Sequence, residues 1–452
     1  MNSSLTYKTL RVTLYLNLLS ILFADERLYL KQAKTLENKT IKGQSIKFIS
    51  GDVIFTKGDL ILNCEKGRHY EKTELAVLFK NVSAIQEQRT LTCDTIKFFS
   101  KEDRLLSIGR SHVWDQDYDL KADSITVFTE QDSGVALGNV ILNQKGQIIK
   151  ANRIEYQKDK EQDGVSYTAI GNVIIEDSTR TANCGKARYD RNNEVTTLEI
   201  NPIITENDRV LSGSKIILQY NEEELDRLHI PKQALAITPI EGYQESIVDS
   251  LKTGDTLRFK DRMEGSQLTS YFKNGNLDSL KIVGMAKTLY HVFEDSIYQG
   301  KNNASGDTII MMFLEDELDV LKVIGGSEGK YIPDSISNDV DQPIIYSANY
   351  IKYRLKDDES DFEGKVKIKH DRTDLDAGFV SVNWQNNLLN ALPRLASDTI
   401  SEPLYPVIKE DGRDPMTGDA MIYNLKTRKG KITKGQTKAD DGYYTGRKIR
   451  NE

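Results

Sequence analysis

A six-residue pattern that recurs eleven times limits this chain to a repeat-built architecture. Its clearest copy is Ala151-Asn152-Arg153-Ile154-Glu155-Tyr156: a small residue, Asp or Asn, a variable residue, an aliphatic, another variable residue, and an aromatic or apolar one. Copies begin at Cys64, Cys93, Ala122, Ala151, Cys184, Gly213, Gly254, Gly306, Ala348, Ala377 and Gly418, stepping by 29, 29, 29, 33, 29, 41, 52, 42, 29 and 41 residues. Length alone, 452 residues, fits two or three domains as well as one array; the period favours the array.

Between the copies lies a second element, Gly138-Asn139-Val140-Ile141-Leu142 and Gly171-Asn172-Val173-Ile174-Ile175, with relatives at Gly51, Lys80 and Asn201. Each reads as a turn residue entering a β-branched strand. One repeat is therefore expected to run turn, strand, polar tip such as Gln144-Lys145-Gly146, strand, kink at the small-Asp/Asn pair, and a third short strand. The kink follows from spacing. Ala151, Ile154 and Tyr156 are three and then two apart, and strict alternation cannot put all three on one face of a strand. A bulge at Asn152 would, since a small residue allows the bend and Asn tolerates unusual dihedrals. Apolar columns should then line one interior: Ile96 and Phe98, Ile125 and Val127, Val140 and Leu142, Ile154 and Tyr156, Val173 and Ile175, Ile216 and Leu218. Lys97, Thr126, Glu155 and Lys215 should point outward. No proline precedes Pro202, as a sheet that needs its backbone donors requires.

Charge adds little. With 61 basic against 68 acidic residues the net charge is -7, spread along the chain, so a nucleic-acid partner is not expected. The start, with Lys8 and Arg11 before an apolar run from Val12 to Phe23, reads as a signal peptide or N-terminal anchor over 1–24. The three cysteines, Cys64, Cys93 and Cys184, occupy the small-residue column and read as buried packing residues, although Cys64 and Cys93 in neighbouring repeats could approach closely enough to bridge.

Motifs of chemistry are weak. Gly325-Gly326-Ser327-Glu328-Gly329 matches a nucleophile-elbow string after an apolar strand, but Lys330 to Asp334 will not form the helix that an elbow needs. The stretch reads better as a flexible linker. Asp115, Asp117 and Asp119 alternate as in a calcium loop, yet Leu120 and Thr126 stand where a Gly and a Glu belong. The five histidines, His69, His112, His229, His291 and His370, are scattered. No catalytic residue, metal site or cofactor is expected. The domain layout reads as an array over 25–325 with insertions at about 231–305, a linker over 326–343, and a second block over 344–452.

The Gly-Asn-Val opener followed by the small-Asp/Asn-x-Ile-x-Tyr pattern resembles the OstA-like (organic solvent tolerance) family of lipopolysaccharide transport, over roughly 40 to 325 and 344 to 450. Gly418 to Gly430 with Asp441 to Gly446 is similar to the periplasmic amino-terminal domain of that pathway's outer-membrane translocon. The resemblance implies an all-β fold, an elongated V-shaped β-jellyroll with an open apolar groove for the acyl chains of lipid A. It further implies a non-enzymatic periplasmic protein, at times outer-membrane associated. Its partners would be lipopolysaccharide, other OstA-like components joined by edge-strand pairing, and an outer-membrane barrel. Two other readings stand beside it: an exported β-solenoid acting as adhesin or polysaccharide binder, and a surface hydrolase using Ser327.

Overall fold

The computed structural model describes residues 28–451 except 117, 129–132, 145, 160–163, 179, 207, 223, 244–255, 275, 295, 316, 337–339, 395–402 and 440–441. The expected signal peptide lies outside the described residues, as does Asp117. Among the described residues the chain is β throughout apart from one short 3-10 turn, Ser100–Glu102. Two compact units are formed. The first comprises described residues of 28–206 and 214–225, the second those of 208–213 and 226–451.

In the first unit, long strands follow one another as antiparallel neighbours, from Gln44–Lys57 and Leu60–Tyr70 through Gln147–Asp159 to Arg180–Asp190. One repeat is thus a single hairpin, not three short strands. At about 11–13 residues a strand, two strands and two tips account for the 29-residue period.

The kink is present, and both motifs build it. Register slips across Ala151/Arg153 on one side of Gln147–Asp159 and across Lys150/Arg153 on the other, so a bulge falls at Asn152 and leaves Ala151, Ile154 and Tyr156 all buried. The Gly-Asn element is not a chain-reversing turn, as its residues suggest. It lies in mid-strand, with two consecutive left-handed residues: φ is +79° and +45° at Gly138 and Asn139, and +79° and +48° at Gly171 and Asn172. Glycine is required there because a side chain of the neighbouring strand occupies the place of a Cβ. A Cβ on Gly138 would lie 2.2 Å from Asp123 Oδ2, and one on Gly171 2.7 Å from Asn152 Nδ2. The Asp or Asn of one motif therefore sits over the Gly of the other, 15 residues on for Asp123 and Gly138 and 19 for Asn152 and Gly171. Polar bonds tighten the joint, from Asn139 Nδ2 to Asp123 Oδ2 at 3.0 Å and in the ion pair of Arg110 with Asp94.

The second unit repeats the joint at Asp307 over Gly325 and Asn349 over Gly364. Between 231 and 306 the start of the copy read at Gly254 lies outside the described residues. Ser266 lies over Gly284, so the corner is at Gly265-Ser266 on strand edges Thr256–Gly265 and Gln267–Lys273. The stretch expected as a linker over 326–343 begins as strand. Glu317–Pro333 is one strand paired with Ile344–Arg354, the register shifting across Ile324/Ser327 where Gly325 and Gly326 form a corner at φ +77° and +54°. Lys215–Asn221 and Glu224–Ile230 follow as two further strands.

The cysteines pack as expected and do not bridge. Cys64 and Cys93 are buried free thiols on strands separated by Leu75–Gln86. Two strand spacings are about 9.5 Å, beyond the reach of about 7 Å for a disulfide. Burial pushes each of Cys64, Cys93 and Cys184 up to about 11, so none is a poised nucleophile.

Candidate functional site

The corner decides what the first unit encloses. Because the bulge restores the facing of the strand after it, residues on both arms of each bent strand look into one interior, and cross-strand register threads them into rows. On the arm before the corner, Phe55, Leu62, Ala84, Leu91, Val113 and Leu120 are successive partners, and the row continues through Leu142, Ile149, Ile175, Ala182 and Ile204. On the other arm a row passes from Ile49 and Gly67 through Leu78, Ile96, Ser107, Ile125, Ala136 and Ile154 to Ala169, Ala187, Leu198 and Ile216. Large and small residues alternate along much of this row, so neighbouring side chains fit without overpacking.

All twelve residues expected to line the groove fall in this interior. Val140 and Val173 stand at the corner; Leu142 and Ile175 lie on the first arm; Ile96, Ile125, Ile154 and Ile216 share the row just described. Phe98, Val127, Tyr156 and Leu218 belong to the next row out, which continues as Tyr167 and Tyr189. Each of the twelve is between 0% and 6% exposed, so the interior is a packed one rather than an open trough. Tyr156 and Tyr167 are 5.4 Å apart by ring centroid, and Tyr167 stacks on Tyr189 at 6.3 Å.

One feature of this interior was missed in the sequence. Toward the hairpin tips of the first arm, one inward position beyond the apolar row, the residues become polar: Lys57, Gln86, Arg89, Tyr118, Gln144, Gln147 and Arg180. Their ions are paired. Arg180 Nε lies 2.7 Å from Glu206, Arg89 3.7 Å from Asp115, and Lys57 3.4 Å from Asp103. Asp103 sits at a tip of the opposite arm, so that pair ties the arms together. Burial raises the phenols of Tyr118 and, on the other arm, Tyr167 well above the usual range. The signal was the alternation itself: each of these residues keeps the parity of the buried row although its neighbours in sequence are tip residues.

The interior meets an edge at the start of the unit. Tyr29–Gln32 and Thr35–Ile41 pair, among the described residues, with Gln44–Lys57 alone. Leu30 opposes Phe55 and Leu36 opposes Ile49, so they head the two apolar rows, yet they are 37% and 56% exposed. Among the described residues both rows thus end at leucines that are partly exposed.

The second unit has its own continuous apolar row, Ile230, Leu268, Ile282, Ile309, Val323, Ile351 and Phe362, then Val380, Ala391, Met421 and Ile432. An open cleft of about 870 Å³ is lined in part by Leu289, Ile345, Tyr346 and Ile368; it carries both signs of charge, with Arg262 2.7 Å from Glu264 and Lys369 3.6 Å from Asp374.

The weak chemical motifs are structural. Ser327 is wholly buried in mid-strand, opposite Ala348. Asp115 caps a tip by accepting the Tyr118 N–H at 3.1 Å, and Asp119 bonds His112 at 2.8 Å. Among the described residues no group of three or more His, Cys, Asp or Glu could hold a metal, and no helix is long and apolar enough to cross a membrane.

Residues 119–224 match the family model described as LptA/(LptD N-terminal domain) LPS transport protein. No curated protein sequence matches the chain. Among solved structures the chain is similar to LptH, the LptA homologous periplasmic component of the conserved lipopolysaccharide transport device from Pseudomonas aeruginosa. That similarity is at 16% identity and a TM-score of 0.22, over 31% of this chain and 94% of that one.

Proposed function

We propose, from the OstA-like lipopolysaccharide-transport module that residues 119–224 carry, that this chain is a non-enzymatic periplasmic carrier that holds lipid A acyl chains in its apolar interior on their way between inner and outer membrane. The observation that carries this reading is the continuity of the apolar rows. An ordinary sandwich core is capped at both ends, whereas here, among the described residues, both rows run to an edge strand and stop at exposed leucines, Leu30 and Leu36. Acyl chains laid between the arms would replace side-chain contacts, each methylene contributing roughly 0.8 kcal/mol by leaving water. The packed interior is then the unloaded form, and loading parts the arms along the tips that Lys57 and Asp103 join. The edge strand Thr35–Ile41 is the docking place for a further OstA-like module, whose own strand would extend the sheet and cover Leu36.

The test is a photo-crosslinking amino acid at Ile154, Ile125 or Glu155 in cells that make lipopolysaccharide. Adducts with lipopolysaccharide at Ile154 and Ile125 and none at Glu155 are expected. Adducts at Glu155 alone would overturn the reading and favour an exterior polysaccharide binder.

A further inference from the structure

The polar collar of the first arm contains groups that the fold leaves unsatisfied. Gln144 is 3% exposed, and neither its Oε1 nor its Nε2 has a hydrogen-bond partner. The hydroxyl of Tyr167, at 1% exposure, likewise has none. Tyr118 is the cross-strand partner of Gln144, with the Arg89 guanidinium 6.0 Å from its ring. Gln144 and Tyr118 thus lie side by side directly beyond the apolar row at Leu120 and Leu142, and Tyr167 faces the same interior from the other arm. A buried amide with both ends unbonded is a standing cost that native folds rarely keep without a use.

Resting on the carrier reading above, we infer that Gln144, Tyr118 and Tyr167 form a subsite for the uncharged polar junction of an acylated sugar, the amide or hydroxyl at which a long acyl chain meets its headgroup. The chemistry selects that class. A Gln side chain offers one acceptor and two donors, the complement of an amide, and a phenol both donates and accepts. The collar's three cations are each paired, Lys57 with Asp103, Arg89 with Asp115 and Arg180 with Glu206, so among the described residues no free cation at this level calls for a phosphate or carboxylate. The neighbouring apolar row takes the chain, and the collar fixes how deep the chain enters.

The experiment uses the purified full chain and two probes of equal chain length: N-dodecanoyl-glucosamine, with an amide junction, and dodecyl glucoside, whose ether junction cannot donate. Affinity is read by displacement of a fluorescent fatty-acid analogue, for wild type, Gln144→Leu and Tyr167→Phe. The amide probe is expected to lose about tenfold in affinity with either variant, the glucoside to stay within about twofold. Gln144→Leu without ligand is expected to raise the melting temperature, since it removes an unbonded amide at similar volume. Equal weakening of both probes, or a lower melting temperature with unchanged selectivity for the amide, would overturn the subsite and leave the carrier reading standing. Failure of both probes to bind wild type would overturn the carrier reading itself. Tyr167→Phe, which removes one oxygen and no packing volume, keeps the test decisive should Gln144→Leu fold poorly.

Discussion

His370 shows what one buried polar residue does to an apolar repeat interior. It ends the strand Glu359–His370 at 2% exposure, meets Tyr423 edge-on at 6.1 Å, and has no partner for Nε2. Burial, and then the charge of Arg428, hold its pKa below the ordinary 6.5, while Asp371 and Asp341 oppose the shift weakly. Arg428 in turn grips Asp341 at 2.7 Å and Asp371 at 3.1 Å, so those carboxylates are largely spent on it. The sign follows: a group with a lowered folded-state value contributes stability above about pH 6.5 that is lost as pH falls through the folded value. We expect the second unit to melt at an even temperature from pH 8 to 7 and progressively lower toward pH 5. In a Trp114→Phe background, Trp384 fluorescence reports that unit. The His370→Leu variant should lose most of the slope; an unchanged slope would show that another group carries it.

At the scale of the element, the corner is two motifs on neighbouring strands acting as one part. Gly138 must be glycine twice over, for its φ of +79° and for the Asp123 carboxylate that lies where a Cβ would be. Gly146, at a tip with φ +82° and open space around it, must be glycine only for its dihedral. Gly146→Ala should therefore cost about 1 kcal/mol in urea unfolding, and Gly138→Ala about 2–3 kcal/mol, with Asp123→Ala returning part of the difference in the double variant. Strictly additive costs would show that the two side chains do not share the site. This joint also explains what could be read from sequence. The period was legible because 29 residues is a two-strand repeat, and the bulge at Asn152 was legible because a three-then-two apolar spacing has no flat solution. The other half was misread because a left-handed Gly-Asn pair is common to a reversing turn and to a mid-strand bend, and single-chain order cannot say which strand lies alongside. The same ambiguity made Gly325-Gly326 look like a linker. The collar stayed hidden for a related reason: Gln144 and Tyr118 sit beside tips, where polar residues draw no notice.

At the scale of the whole molecule, a ladder in which each strand touches mainly its sequence neighbours has stability that accumulates from neighbour to neighbour, and its ends are its weak points. Thr35–Ile41 is exposed along its whole length, and each of its two flanking sheet faces offers a leucine to water, Leu36 and, on Tyr29–Gln32, Leu30. Natural edge strands are usually blunted by charge or bulges; here Glu37 and Lys39 pair with each other at 2.7 Å, so the strand carries no net charge. Such an edge is costly to keep unless something covers it. Photo-crosslinking from Leu36 in cells should capture a protein with a strand to add, identifiable by mass spectrometry as a second β-jellyroll transport module. Changing Leu30 and Leu36 to Asp should abolish that capture while shifting the melting temperature by no more than a few degrees, because neither side chain is buried in the isolated unit. Capture of lipid but no protein from Leu36 would instead make this edge an entrance to the interior, and the sheet would end here rather than continue into a neighbour.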